Sequence, residues 1–92
     1  MRRATSDAAW ASVVDSLAAL QAKVYRALKK ARRPLTDEQL IELTGLAPNS
    51  VRPRRIELTQ RGLVAPFGYR RTKSGRKAIT WVCVAEVREV AP

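Results

Sequence analysis

Two glycines, Gly45 and Gly62, each end a short segment with the signals of an α-helix, and this pair of segments limits most strongly what the chain can fold into. The first segment, PLTDEQLIELTG, has Thr36 at an N-cap position and Gln39 three residues later, the spacing of a capping box. A glycine after a helix readily adopts the left-handed conformation that closes the last turn. Because only residues 45–48 separate the two segments, the sequence predicts a helix-turn-helix.

The second segment, SVRPRRIEL, places a proline among three arginines. Proline is costly in a helix interior but is tolerated in the first turn, whose N–H groups have no intrahelical partner. We predict that Ser50 is the N-cap, which puts Pro53 in that first turn. If the helix begins at Pro48 instead, Pro53 lies a full turn further in and a local kink is expected. The helix is expected to end near Arg61.

On this predicted helix Val51 and Leu58 face the core, and helical spacing puts Arg54 and Arg55 close to the same side. Either the helix is rotated about its axis, or the arginine stems pack while their guanidinium groups reach outward. We favour the second arrangement. It leaves Ile56 exposed on the outer face.

The segment before Pro34 contains no glycine or proline, and its apolar residues recur at steps of three and four. It therefore reads as helix, either one long helix over residues 7–30 or two with a bend near residues 18–21. Its first part carries an apolar stripe that fits either packing against the domain or a dimer interface. The stripe consists of Trp10, Val13, Val14 and Leu17.

After Gly62 the apolar period changes to two, so residues 63–72 and 77–84 read as strands joined by a turn at residues 73–76. In the second strand we expect the face with the larger aromatic area to cover the helices. That face carries Ile79, Trp81 and Cys83, and the alternative face carries Thr80, Val82 and Val84.

The stretches TDEQLIELTGLAPNSVRPRRIELTQRGLV and RRTKSGRKAITWVCV thus follow the order helix, turn, helix, hairpin. From about residue 20 to residue 84 the chain resembles winged helix-turn-helix domains of the MarR-like and small phage-encoded types, in which a sequence like Gly62-Leu63-Val64 leads into the wing. The resemblance implies a mainly α, α+β fold of three helices and a hairpin wing. We assign residues 1–19 to a helical extension, 20–85 to the winged domain and 86–92 to a tail.

In such families the third helix enters the major groove of DNA and the wing lies on the backbone or in the minor groove. MarR-like proteins also dimerise through added helices, so the resemblance implies that a homodimer could form through the N-terminal helix. The expected function is sequence-specific binding of double-stranded DNA, as a transcriptional regulator or a phage or prophage DNA-binding factor.

Positive charge is concentrated in the same part of the chain. The net charge is +10, and residues 45–77 carry nine basic residues against one acidic residue. Such a block predicts an anionic partner, nucleic acid before a membrane surface. The longest unbroken apolar run, residues 81–85, is far short of the ~20 residues of a membrane span. We expect a cytoplasmic, nucleoid-associated protein.

The outer face of the third helix offers groups that can read base edges, because Asn and Gln pair with adenine, Arg with guanine and an aliphatic group with the thymine methyl. The predicted base-reading residues are Asn49, Arg52, Pro53, Ile56 and Gln60. The predicted backbone contacts are Ser50, Arg54, Arg55, Arg70, Arg71, Lys73, Arg76 and Lys77.

Catalysis is not expected, since the chain has no histidine, one cysteine and no Gly-rich nucleotide motif. No metal and no cofactor are predicted. RNA binding ranks low because one phenylalanine and two tyrosines offer few stacking platforms. The alternative function is a protein-interaction module on a winged-helix scaffold, binding a host replication, transcription or defence complex through Ile56 and the Trp10 stripe.

Overall fold

Three helices, a further helical turn and one β-hairpin make up residues 12–84, the part of the chain that the computed structural model describes. The helices are α1 (Ala19–Ala31), α2 (Asp37–Thr44) and α3 (Pro48–Gln60). The strands β1 (Val64–Arg71) and β2 (Lys77–Cys83) pair antiparallel. The order of elements is the one that the sequence predicts.

The segment before Pro34 forms two helical pieces rather than one long helix. Residues 12–15 are helical, α1 follows, and the interruption at residues 16–18 overlaps the predicted bend at Ala18. The Ser16 hydroxyl donates to the Val13 carbonyl at 2.7 Å, which competes with helix continuation. The Ala18 N–H donates to Gln21 Oε1 at 3.1 Å, so the start of α1 is satisfied locally.

The described part of the apolar stripe packs against the domain's own core. Val14 is buried, and Val13 and Leu17 are partly buried against the same cluster. Trp10 lies outside the described residues. Val14 therefore packs behind the domain, and the dimer interface stays a prediction.

Helix α2 is held by the predicted capping box. Thr36 Oγ1 accepts from the Gln39 N–H at 3.1 Å, and Gln39 Oε1 accepts from the Thr36 N–H at 3.0 Å. Gly45 closes the helix with φ +72°, and its N–H donates to the Ile41 carbonyl at 2.9 Å. All of these signals are local, which is why the sequence predicts this helix correctly.

Helix α3 begins earlier than predicted. Its N-cap is Ala47, which has no side-chain cap, and Pro48 occupies the first helical position. The prediction of Ser50 as N-cap is therefore wrong, and Pro53 lies at the sixth helical position. A proline there cannot donate to the carbonyl of Asn49, four residues back. Proline suits the first position because its fixed φ is already helical, and this start prevails over a serine cap.

The hairpin is joined to the helical body by backbone pairing. Trp81 forms an isolated antiparallel bridge with Leu35, with N–H to carbonyl distances of 3.0 and 2.8 Å. Trp81 and Cys83 join the core, as predicted for their face of the strand. Ile79 of the same face is 40% exposed because the hairpin extends past the helices there. Thr80 and Val82 on the other face are also buried.

A β-bulge at Phe67 changes which residues of β1 face the helices. Pro66 pairs with Trp81 but Gly68 pairs with Thr80, so β1 has one residue more than β2 across this step. Beyond the bulge, Tyr69 stands opposite Ile79 and is therefore on the Trp81 side of the sheet. Before Phe67 the even-numbered residues of β1 lie on the Trp81 side of the sheet, and after it the odd-numbered residues do.

The core lies between the three helices and the base of the hairpin. Two buried residues of α3, Val51 and Leu58, have no exposed surface, and the predicted exposure of Ile56 is confirmed at 44%. The remaining fully covered apolar side chains come from α1, α2, the two strands and the bridge residue before α2: Val24, Leu28, Leu40, Val64, Cys83 and Leu35. The protein thus has the α+β fold of a winged helix-turn-helix domain.

Candidate DNA interface

The outer face of α3 presents the five predicted base-reading residues together. Asn49, Arg52, Ile56 and Gln60 are exposed and Pro53 is half-buried. Their spacing of three and four residues puts them on one side of the helix, away from Val51 and Leu58. Ser50, from the predicted backbone set, is half-buried at the third helical position.

Arg52 is the most accessible cation of α3 for which an ion pair is found. Its side chain is 62% exposed, and its Nε lies 4.0 Å from Asp37 Oδ2. An exposed ion pair of this length contributes about 0–1 kcal/mol to stability. The Arg52 guanidinium can therefore leave Asp37 and bind another anion.

Arg55 behaves differently, because its guanidinium turns inward. Its Nε and Nη2 donate to the two carboxylate oxygens of Asp37 at 2.9 and 2.7 Å. Its guanidinium carbon lies 3.9 Å from the centroid of the Trp81 ring, a cation–π contact. The stem packs as predicted, but the expected outward reach of the guanidinium is wrong. A bidentate carboxylate and an aromatic face together outweigh solvation.

Arg54 is also engaged within the protein. Its Nε and Nη2 donate to Glu57 at 2.8 and 2.7 Å, and Gln21 Nε2 donates to Glu57 Oε1 at 2.8 Å. The hydrogen bonds from Arg54 and then Gln21 lower the pKa of Glu57 below its ordinary value of 4.5. Glu57 in turn raises the pKa of Arg54 by accepting its hydrogen bonds. This network connects α3 to α1.

The wing carries the other predicted backbone cations, all of them exposed: Arg70, Arg71, Lys73, Arg76 and Lys77. Arg71 Nη1 donates to the Gly75 carbonyl at 2.7 Å and braces the turn. Lys73 Nζ lies 3.0 Å from Glu42 Oε2 of α2, and this hydrogen bond raises the pKa of Lys73. Within residues 12–84, the four other wing cations form no ion pair with a carboxylate.

A groove of about 520 Å³ separates α3 from the wing. Asp37 and Glu38 from the start of α2 lie on one side of it. Cations from both elements line it: Arg52 and Arg55 of α3, Arg76 and Lys77 of the wing. Since Asp37 pairs with Arg55, the positive charge that the helix and the wing bring to this groove comes from Arg52, Arg76 and Lys77.

Sequence reasoning missed two residues of this site. Asp37 was not among the predicted site residues, and Trp81 was predicted only to cover the helices, yet both hold Arg55. The available signal was Arg55 itself, an arginine whose spacing places it on the core side of α3. Such a side chain needs an anionic or aromatic partner from another element.

Other site classes find little support in the described residues. No three His, Cys, Asp or Glu side chains of residues 12–84 are grouped so that they could hold a metal ion. The described helices also include none with the length and hydropathy needed to cross a membrane. Cys83 is buried in the core.

No protein-family model matches the sequence, and no curated protein matches it significantly. Among solved structures, the chain is similar to a "Possible transcriptional regulator from Methanosarcina mazei Go1". The TM-score is 0.63 at 11% sequence identity, over 84% of this chain and 66% of that one. The chain spans just under two thirds of that protein's length, and at this identity the likeness concerns the fold.

Proposed function

We propose that the protein binds double-stranded DNA with sequence preference, with α3 in the major groove and the wing on the backbone or in the minor groove. The observation that carries this proposal is the groove between the two elements, into which Arg52 of α3 and Arg76 and Lys77 of the wing all project positive charge. A polyanion lying along this groove would meet both elements at once.

The internal ion pairs decide which cations are available for phosphate. Arg54 and Arg55 are compensated by Glu57 and Asp37, so we assign them a supporting role in place of direct contact. Six of the predicted DNA-contacting cations remain, all of them exposed: Arg52, Arg70, Arg71, Lys73, Arg76 and Lys77. Six phosphate contacts give a slope of about −5 in a plot of log K against log salt concentration.

Base reading is assigned to the outer face of α3. Arg52 can pair with guanine, Asn49 and Gln60 with adenine, and exposed Ile56 can contact a thymine methyl. Pro53, half-buried among them, adds apolar contact without a donor. The arrangement suits a helix laid in the major groove with its first turns towards the bases.

A regulatory role agrees with the solved structure of similar fold, whose own description is a possible transcriptional regulator. We propose more specifically that the protein is a regulator of the MarR-like or small phage-encoded type. Val14 is buried in the core, so a homodimer through the N-terminal helix would use Trp10 and the exposed parts of Val13 and Leu17.

Selection of bound sequences from a random duplex pool tests the proposal. We expect enrichment of one motif, and a palindromic motif would indicate two-fold symmetry. A salt titration with random duplex should give the slope of about −5. Failure to enrich any motif, together with a slope near zero, would contradict DNA binding.

Two exposed aliphatic side chains favour a second candidate, a protein-interaction module that binds a host complex. Leu43 of α2 is 56% exposed and Ile56 of α3 is 44% exposed. In a pull-down from nuclease-treated lysate, this candidate predicts a stoichiometric protein that is lost with Leu43→Ala or Ile56→Ala. Retention of no protein, with DNA binding intact, would exclude it.

A further inference from the structure

Two aromatic side chains on β1 are exposed although the protein has few aromatic residues. Phe67 is 60% exposed and Tyr69 is 68% exposed, whereas Tyr25 and Trp81 are buried. An isolated exposed aromatic side chain is ordinary. Here two of them lie within three residues of one strand and directly precede Arg70 and Arg71.

The β-bulge determines where Tyr69 lies. Because the alternation changes at Phe67, Tyr69 stands opposite Ile79, and Arg71 stands opposite Lys77. All four side chains therefore share the face of the wing that continues from Trp81. Ile79 and Lys77 line the groove between the wing and α3. The bulge thus places an aromatic ring, in place of Arg70, on the groove side of the wing.

The surroundings of Tyr69 are cationic. Lys77 Nζ lies 5.4 Å from the centroid of its ring, and Arg71 is the next residue on the same face of β1. No acidic residue occurs between Gly62 and Lys77. A ring that is open to solvent and surrounded by cations is the combination that binds unpaired bases, since bases stack on the ring while cations contact phosphate.

We propose that the wing binds unpaired DNA bases by stacking on Tyr69 and Phe67, beside the duplex that α3 contacts. This inference rests on the proposed DNA binding and names its preferred substrate, a duplex that continues into a single-stranded or locally opened segment. Ile79, 40% exposed opposite Tyr69, extends the apolar surface available to a base. Arg71 and Lys77, on the same face as Tyr69, then contact phosphates where the duplex passes into the unpaired strand.

The test compares two fluorescent probes of the same base sequence, a fully paired duplex and a duplex that continues into a short unpaired tail. The full chain should bind the tailed probe about tenfold more tightly, the scale of one stacked base. Tyr69→Leu and Phe67→Leu should each reduce this preference and leave the affinity for the paired probe unchanged. Tyr69→Trp should keep it, because the ring is retained.

A direct stacking signal comes from 2-aminopurine in the tail, whose fluorescence is quenched when it stacks. We expect quenching with the wild-type chain and with Leu43→Ala, which removes an exposed apolar side chain on α2. Quenching should be lost with Tyr69→Leu.

Equal affinity for the two probes, or a preference unchanged in both leucine variants, overturns the stacking proposal while DNA binding stands. Absence of binding to either probe overturns the proposed function itself. Binding of the paired probe also shows that each variant is folded.

Discussion

Asp37 accepts hydrogen bonds from Nε and Nη2 of Arg55, so the first residue of α2 is bound to the middle of α3. The two side chains are only 19% and 14% exposed, and Trp81 covers the guanidinium from the hairpin. Three elements meet at this arginine. Besides the core packing of Val51 and Leu58, one ion pair and one aromatic ring therefore tie α3 to α2 and the hairpin.

Asp37→Asn should lower the free energy of unfolding by about 1.5–3 kcal/mol, because it leaves a mostly buried guanidinium without its anion. Urea denaturation followed by circular dichroism measures this loss. Glu38→Gln is the matched control, since Glu38 is the adjacent exposed carboxylate and should change stability by no more than about 0.5 kcal/mol. Equal effects of the two substitutions would show that the Asp37–Arg55 pair does not stabilise the fold.

Pro53→Ala should raise the free energy of unfolding by about 1–3 kcal/mol, since it restores an N–H donor to the Asn49 carbonyl and removes the ring from the sixth position of α3. Pro48→Ala is the control, because proline suits the first helical position and its loss should be neutral or slightly destabilising. Thermal unfolding of the wild type, Pro53→Ala and Pro48→Ala measures these differences in stability. A destabilised Pro53→Ala would mean that the proline is favourable where it lies.

Arg52→Ala should relax base preference by about 1–3 kcal/mol at one position of the selected DNA site. Arg76→Ala, and Lys73→Ala to a smaller extent, should instead weaken binding to all sequences alike and reduce the salt slope by about one. Arg26→Ala serves as control, as Arg26 is exposed on α1 outside the proposed interface. Competition binding with single-base variants of the site separates these outcomes, and a uniform loss with Arg52→Ala would argue against base reading.

Glu57 should make stability depend on pH in the acidic range. Its pKa is below the ordinary value of 4.5 in the folded protein, so the unfolded chain binds the proton more readily. The contribution is fully present above about pH 4.5 and is lost as pH falls through the folded-state pKa. Glu57→Gln removes it, so the stability difference from wild type should shrink on acidification. Urea midpoints over this range test the prediction, and a difference that grows on acidification would contradict it.

Glu42→Gln should increase DNA affinity modestly, about two- to threefold at low salt, because it releases Lys73 and removes a carboxylate beside the wing. The gain should disappear at high salt, where interactions between exposed charges are screened. Glu42 and Lys73 side chains are 53% and 81% exposed, so stability should change little. A gain that persists at high salt would point to a cause other than charge.

The sequence was sufficient where the determining contacts are local. Thr36, Gln39 and Gly45 fix α2 within a ten-residue stretch, and the turn around Gly75 lies where the strand periodicity predicts. Local signals did not determine where α3 starts. Ser50 and Pro48 each satisfy a recognised rule for helix starts, and local chemistry does not rank them.

Long-range relationships could not be predicted. Arg55 and Asp37 are 18 residues apart, and the helical spacing of α3 shows only that Arg55 needs a partner. The bulge at Phe67 is another case, since strict alternation would put Arg70, and not Tyr69, on the groove side. The sequence therefore predicted the region of the candidate interface but not the internal partners of its arginines.

The backbone bridge between Leu35 and Trp81 also closes a long loop of the chain. Leu35 precedes α2 and Trp81 belongs to β2, so both helices of the helix-turn-helix lie in one loop closed by two hydrogen bonds. Trp81 also contacts the Arg55 guanidinium, so this contact with α3 can form only after β2 has been synthesised. A chain truncated before Trp81 would lack both the bridge and the ring that packs on Arg55.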